Sequence, residues 1–127
     1  MKKILIIEDD PDISKAVAIR LRASGFDVVQ AADGYLGLSS AIREQPDLLL
    51  LDISMPAGDG FSVVERLKAQ PTPVEIPFII FTASTRPEFR RTAQEMGAYA
   101  YFEKPFEAAE LIFTINEALS TGHRLSV

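Results

Sequence analysis

The chain has 127 residues, of which 47% are hydrophobic and 24% charged, and this composition favours one packed domain over a disordered chain. Its 13 basic and 18 acidic residues give a net charge of −5, which argues against nucleic acid as a direct partner because phosphate binding needs a basic surface. The absence of cysteine excludes disulfides and thiolate-bound metals.

The sequence carries neither a secretory leader pattern nor a membrane-span pattern. The start MKKILIIEDD has four consecutive apolar residues before three acids, whereas a signal peptide needs an apolar core of about 7–15 residues. No stretch approaches the roughly 20 apolar residues of a membrane span. We therefore expect a soluble, cytoplasmic protein that makes no membrane contact.

Short apolar runs alternate with longer amphipathic runs along the chain. Short continuous apolar runs predict buried strands, and apolar residues three or four apart predict helices. Asp10 before Pro11 is typical of a helix start, and Gly25 of a helix end. In chain order the predicted elements are strand 3–7, helix 11–24, strand 27–30, helix 35–44, strand 48–51, helix 61–68, strand 78–81, helix 85–96, strand 99–102 and helix 108–119.

Apolar spacing also assigns a buried face to each predicted helix. In the second helix this face holds Leu38, Ala41 and Ile42. The loop before the third helix ends in Asp59-Gly60, which we interpret as a turn without a chemical role.

Five strand–helix pairs in a constant order predict parallel strands joined by right-handed crossovers. The nearly continuous apolar strands agree, since a parallel sheet is covered on both faces. The predicted fold class is therefore α/β, a doubly wound five-stranded parallel sheet with five helices. Such folds bind ligands in the crevice beyond the carboxyl ends of the strands, so the polar residues that follow each strand are the candidate site residues.

These candidates are acids, a hydroxyl and an amine: Glu8 and Asp9 after the first strand, Asp52 after the third, Thr82 after the fourth and Lys104 after the fifth. The fold would bring them together, and three converging carboxylates repel one another unless a cation lies among them. Oxygen ligands without histidine or cysteine suit Mg²⁺. A metal, an ammonium and a hydroxyl form a phosphoryl pocket, in which Asp52 would be the nucleophile.

The sequence resembles the receiver domain of two-component response regulators. The matching segments are ILIIEDD (4–10), LLLLDISMPAGDG (48–60), FIIFTAS (78–84) and YFEKPF (101–106). Thr82 lies 30 residues after Asp52, and Lys104 lies 22 residues after Thr82, which are the family's separations. The resemblance runs from about residue 3 to residue 119 and implies a flavodoxin-like sheet with strand order 2-1-3-4-5. Residues 1–120 would be the receiver domain and 121–127 a C-terminal tail, with no output domain in the chain.

The resemblance also implies ligands and a phosphorylation site. Asp52 would accept a phosphoryl group from a sensor histidine kinase, from a phosphotransfer protein or from a small phosphodonor. Asp9 and Asp52 would bind Mg²⁺ directly, Glu8 largely through water, and Ser54 through its backbone carbonyl. Asp10 could pair with Asp9 in place of Glu8 if the first strand were one residue longer, but it has a sufficient role as a helix cap.

The remaining roles belong to a switch. Lys104 would pair with a phosphoryl oxygen, and Thr82 would turn its hydroxyl toward the phosphoryl group while Tyr101 moves inward behind it. Ala83 would leave room for that group, and the bond before Pro105 would be cis. The surface of the fourth helix, fifth strand and fifth helix would then change shape and regulate an unknown downstream protein or form a homodimer.

On this interpretation the chain is a switch with self-catalysed phosphotransfer and autodephosphorylation, not an enzyme in the usual sense. One alternative is a pseudo-receiver that binds partners without phosphorylation. A haloacid-dehalogenase-like phosphatase is less favoured because it needs a second aspartate at the position of Ser54. A flavodoxin-type FMN carrier is disfavoured because the three acids 8–10 would repel its phosphate.

Overall fold

The computed structural model describes residues 1–53, 60–71 and 75–120. Within these ranges five strands alternate with five helices, as the hydrophobic pattern predicts. They are β1 (Lys3–Ile7), α1 (Pro11–Ala23), β2 (Asp27–Ala31), α2 (Gly34–Glu44), β3 (Leu48–Leu51), α3 (Gly60–Lys68), β4 (Phe78–Thr82), α4 (Pro87–Met96), β5 (Ala100–Glu103) and α5 (Ala108–Ser120). Ser54 and the tail 121–127 lie outside the described residues.

The strands form one parallel sheet in the order β2-β1-β3-β4-β5. The predicted doubly wound sheet and its strand order are therefore confirmed. The strand order reverses at β1: β2 is added on one side of β1, and β3 is added on the other side. The crevice beyond the carboxyl ends of β1 and β3 is thus the switch point at which such sheets bind ligands.

Each face of the sheet carries its own hydrophobic core. Alternate residues of a strand point to opposite faces, so Leu5 and Ile7 pack on one side and Ile4 and Ile6 on the other. The first core is closed by α2, α3 and α4, and the second by α1 and α5. All residues of β1 after Lys3, and all of β3 and β4, are buried, which explains why these strands are continuously apolar.

The ends of α1 follow the predicted signals. The Asp10 carboxylate Oδ1 accepts hydrogen bonds from the backbone N–H groups of Asp12 at 2.9 Å and Ile13 at 3.3 Å, so Asp10 is the N-cap. The helix ends at its C-cap Ser24, and Gly25 follows with φ 93°, in the left-handed region that favours glycine. Both predictions are confirmed.

The start of α4 differs from the prediction. The helix begins at Pro87, not at Thr85, and Arg86 has the extended conformation φ −67°, ψ 121°. The physical reason is steric, because a residue that precedes proline is pushed out of the helical region. Proline itself is well suited to the first turn.

The face of α2 also differs from the prediction. Ile42 is 47% exposed, while the buried residues of the helix are small: Gly34, Gly37, Ser40 and Ala41. A Cβ on Gly37 would lie 2.6 Å from Ile7 Cδ1 and 2.9 Å from Ile7 Cγ1. The helix therefore approaches β1 at Gly37, while Ile42 is turned toward solvent.

Gly60 is the first residue of α3, which corrects its interpretation as a turn residue, and Asp59 lies outside the described residues. A Cβ at this position would lie 2.5 Å from both the backbone oxygen of Asp52 and Leu51 Cδ1. Glycine is therefore required for α3 to begin against the end of β3. This contact ties the start of α3 to the backbone of a candidate site residue.

We expect Gly60→Ala to lower the free energy of unfolding by about 1–3 kcal/mol, because the added Cβ meets backbone that cannot move aside. Helix propensity alone gives the opposite sign, a gain of about 1 kcal/mol. Urea denaturation of Gly60→Ala and of the control variant Glu65→Ala, at an exposed position of the same helix, measures the difference in stability. An unfolding midpoint for Gly60→Ala at or above that of Glu65→Ala would contradict the contact.

Candidate functional site at the carboxyl end of the sheet

Backbone hydrogen bonds that continue the strand ladders hold the candidate residues at the carboxyl end of the sheet. Glu8 N–H donates to the carbonyl oxygen of Ala31 at 3.1 Å, and Asp52 N–H donates to that of Ile7 at 3.0 Å. Lys104 N–H donates to the carbonyl oxygen of Thr82 at 2.8 Å. The side chains that follow β1, β3, β4 and β5 therefore start from fixed positions.

Three carboxylates converge at the switch point between β1 and β3. The carboxylate oxygens of Glu8, Asp9 and Asp52 all lie within 4.8 Å of one another. Glu8 and Asp52 are buried, whereas Asp9 is exposed. Asp10, the alternative acid, uses its carboxylate as the α1 cap instead. The cluster could hold a metal ion, and one exposed ligand leaves it accessible from solvent.

The ammonium group of Lys104 lies between the two buried carboxylates. Its Nζ donates a hydrogen bond to Glu8 Oε1 and lies 3.3 Å from Asp52 Oδ2. The same Nζ is 4.7 Å from the centroid of the Phe81 ring. The Lys104 side chain is only 12% exposed, so these charges interact with little screening by water.

Burial changes the acidity of Glu8. Burial raises the pKa of Glu8 to about 7, and the nearby Asp52 charge acts in the same direction. The hydrogen bonds from Lys104 and from the backbone N–H of Asp10 lower this pKa but do not offset the burial. Three carboxylates and one ammonium meet here, so a further cation would relieve the burial and repulsion that raise this pKa.

Thr82 lies beside this cluster as the last residue of β4. It is completely buried, and its Oγ1 accepts a hydrogen bond from the backbone N–H of Ser84 at 3.2 Å. The prediction that β4 ends at residue 81 was one residue short, because Thr82 still pairs with Glu103 of β5. The Thr82 side chain therefore belongs to the strand, and its hydroxyl is bonded to the segment that follows it.

Ala83 and Pro105 line a cavity of about 520 Å³ between α1 and α5, which Lys104 also borders. The peptide bond between Lys104 and Pro105 is cis, as the family resemblance implies. Small Ala83 and the proline therefore share this cavity with Lys104. Their role in a phosphoryl pocket stays a prediction.

Tyr101 lies on the neighbouring strand, and its ring packs against the core beneath α2, α3 and α4. The predicted bounds of β5 were one residue early, since the strand covers Ala100–Glu103. Its residues are half-buried or exposed because β5 is the edge strand of the sheet. Tyr101 thus lies on the strand that pairs with β4, in contact with Arg90 of α4.

Three contacts had no signal in the sequence: the Phe81 ring under Lys104, Gly60 against the Asp52 backbone, and Arg90 over the Tyr101 ring. Each joins residues of different elements, and none follows from periodicity or from a capping pattern. The GDG of segment 48–60 pointed to Gly60 only as a turn residue.

Residues 4–116 match the family model of the response regulator receiver domain. The chain belongs to this family. Receiver domains of response regulators are phosphorylatable modules of two-component signalling, so the family predicted from the motifs is confirmed.

The similar proteins include full-length regulators and stand-alone receivers. The receiver is 38% identical over 125 residues to the DNA-binding dual master transcriptional regulator RpaA of Synechocystis sp., covering 98% of this chain and 52% of RpaA. It is 38% identical over 117 residues to the transcriptional regulatory protein PrrA of Mycobacterium tuberculosis, covering 92% of this chain and 49% of PrrA. The chain therefore spans about half the length of these curated relatives.

Among solved structures, the receiver resembles the chemotaxis protein CheY4 of Vibrio cholerae with a TM-score of 0.85 and 30% identity. The match covers 94% of this chain and 99% of CheY4. In the described part of the receiver, no helix is long and apolar enough to cross a membrane.

We expect Asp10→Ala to lower the free energy of unfolding by about 1 kcal/mol, since the Asp12 and Ile13 N–H groups lose their acceptor. Asp10→Asn keeps a capping oxygen and should change stability by only a few tenths of a kcal/mol, on the order seen for good N-caps. Urea unfolding in metal-free buffer measures both. An equal loss in the two variants would show that the charge, not the cap, stabilises the helix.

Proposed function

We propose that Asp52 of this receiver is the phosphoacceptor of a two-component pathway. The observation that carries the proposal is its surroundings: a buried carboxylate within 4.8 Å of two others and 3.3 Å from the Lys104 ammonium. The phosphodonor would be the phosphohistidine of a sensor histidine kinase or phosphotransfer protein, or a small acyl phosphate. Aspartyl-phosphate formation is established carboxylate chemistry.

In the transfer, a carboxylate oxygen of Asp52 forms a bond to phosphorus as the bond from phosphorus to the donor breaks. Lys104 already faces Asp52, so its ammonium can follow a phosphoryl oxygen without a new charge entering the site. The reaction adds about one unit of negative charge and three acceptor oxygens. Fixed donors aimed at that charge favour the transfer.

Magnesium is the metal that we propose for the acidic cluster. The three ligands Glu8, Asp9 and Asp52 are all carboxylates, which suit a hard cation such as Mg²⁺ with several retained waters. The backbone carbonyl of Ser54, outside the described residues, would add a ligand. When bound, Mg²⁺ would neutralise phosphoryl charge and the mutual repulsion of the carboxylates.

The output would be a change in the surface formed by α4, β5 and α5. Thr82 and Tyr101 lie on paired strands, so a shift of the Thr82 hydroxyl toward the phosphoryl group can be followed by the Tyr101 ring. Reversing a 1:99 equilibrium needs about 5.5 kcal/mol of differential stabilisation. We propose that the ion-paired phosphoryl group supplies part of it and that partner binding supplies the rest.

A protein, not DNA, is the direct partner that we propose for this receiver. Its net charge of −5 disfavours phosphate contact. RpaA and PrrA are named as transcriptional regulators, so control of transcription through another part of such a regulator is one output. The partner on the α4–β5–α5 surface would be a downstream protein or a second copy of the chain.

We expect Asp52→Asn to abolish acid-labile phosphate after incubation with acetyl phosphate and Mg²⁺, because the amide is a poor nucleophile. Asp10→Asn is the matched control. It also replaces an acid near the site by its amide, but the Asp10 carboxylate caps α1, so phosphorylation should persist. Intact mass spectrometry at neutral pH reads the gain of one phosphoryl group. A phosphorylated Asp52→Asn protein would move the nucleophile elsewhere, and an unphosphorylated wild type would favour the pseudo-receiver.

We expect Lys104→Ala to keep Mg²⁺ binding, or to tighten it, because a cation that competes for Glu8 and Asp52 is removed. The same variant should lose the response of the α4–β5–α5 surface to beryllofluoride, a phosphoryl mimic. Backbone amide NMR measures both in one titration. If amide shifts in α4 and β5 still responded to beryllofluoride as in the wild type, Lys104 would not couple the site to the surface.

A further inference from the structure

Tyr101 has an unusual environment for a half-exposed edge-strand tyrosine. Its ring packs against the α2–α3–α4 core, and its hydroxyl oxygen is buried without a hydrogen-bond partner among the described residues. Burial raises the pKa of Tyr101, and the charge of Arg90 acts in the opposite direction. A buried hydroxyl without a partner disfavours the inward position of the ring, which core packing and one further contact favour.

Arg90 of α4 provides that contact. Its guanidinium carbon lies 4.5 Å from the centroid of the Tyr101 ring, within the range of a cation–π interaction. Its Nη2 is 3.5 Å from Glu103 Oε1. Tyr101 and Glu103 are two residues apart on β5 and so share a face of the sheet. The guanidinium therefore covers the ring from outside and is held to the same strand.

We propose that Arg90 is a positioning residue that holds Tyr101 inward before phosphorylation and thereby sets the resting equilibrium of the switch. The inference rests on the proposed function for the meaning of Tyr101, though the contact itself does not depend on it. The unpaired hydroxyl favours an outward ring, and the cation–π contact favours an inward one. Because these opposing contributions are of similar order, removal of one should shift the population measurably.

Fluorine NMR of the whole chain labelled with 3-fluorotyrosine tests this. The chain has three tyrosines, so three resonances are expected, each assigned by substitution with phenylalanine. The change of each resonance between H₂O and D₂O reports its exposure to solvent. Tyr35, at 74% exposed, provides the internal reference for an exposed ring. The variants are Arg90→Ala, Arg90→Lys and, as the matched control, Arg91→Ala at an exposed position of the same helix.

In the wild type we expect the Tyr101 resonance to show a small solvent shift. In Arg90→Ala it should move at least halfway to the value of Tyr35, and Arg90→Lys, which keeps a cation, should restore part of the protection. Arg91→Ala should match the wild type. An Arg90→Ala resonance that coincides with the wild type would overturn the proposal, and so would an equal effect of Arg91→Ala.

Repeating the measurement with beryllofluoride and Mg²⁺ separates this proposal from the proposed function. If Arg90→Ala exposes Tyr101 but beryllofluoride moves the resonance in neither protein, Arg90 positions the ring and the phosphorylation switch is wrong. If beryllofluoride moves the wild-type resonance and Arg90→Ala has no effect, the switch stands and the role of Arg90 is wrong. Recovery of protection in Arg90→Ala with beryllofluoride supports both.

Discussion

The ammonium group of Lys104, placed between the buried carboxylates of Glu8 and Asp52, is the interaction on which the site depends. Two carboxylates at the same end of a sheet would repel one another in a poorly hydrated setting, and the opposite charge makes their burial possible. The parallel sheet supplies the geometry, because the ends of β1, β3 and β5 lie along one edge. Burial, together with the Asp52 charge, raises the pKa of Glu8 to about 7 despite the ammonium. The metal proposed for this cluster would relieve both effects.

The same arrangement connects the site with a surface. Thr82 ends a fully buried strand beside the acids, and Tyr101 lies on the half-exposed edge strand next to it. In the proposed function, a change at Asp52 would reach α4 through these two paired strands. At this edge strand the Tyr101 hydroxyl is buried without a partner among the described residues, and the Arg90 guanidinium lies over its ring. We propose that these two contacts oppose one another.

Local signals in the sequence predicted the elements, the parallel doubly wound sheet and the convergence of Glu8, Asp9, Asp52, Thr82 and Lys104 at its carboxyl end. This succeeded because parallel strands all end at the same edge, so residue position along the chain translates into position in space. The strand order came from the family resemblance. Prediction failed where contacts with neighbouring residues decide the exposure of a side chain or the start of a helix. Ile42 is exposed while α2 approaches Ile7 at Gly37, and α4 starts late because Pro87 restrains Arg86. The stacking of Arg90 on Tyr101 joins two elements whose relative position no spacing rule encodes. The roles of the site residues, and the contribution of Ser54 outside the described residues, stay predictions.

The central claim is that Asp52 is the residue esterified by the phosphoryl group, and direct chemical mapping tests it. Borohydride reduction of the phosphorylated protein converts an acyl phosphate of aspartate to homoserine, and peptide mass spectrometry locates the product. The account predicts homoserine at position 52 and none elsewhere, in an amount that depends on Mg²⁺. Homoserine at position 9 or 10, or a stable phosphate with no homoserine at any aspartate, would contradict it.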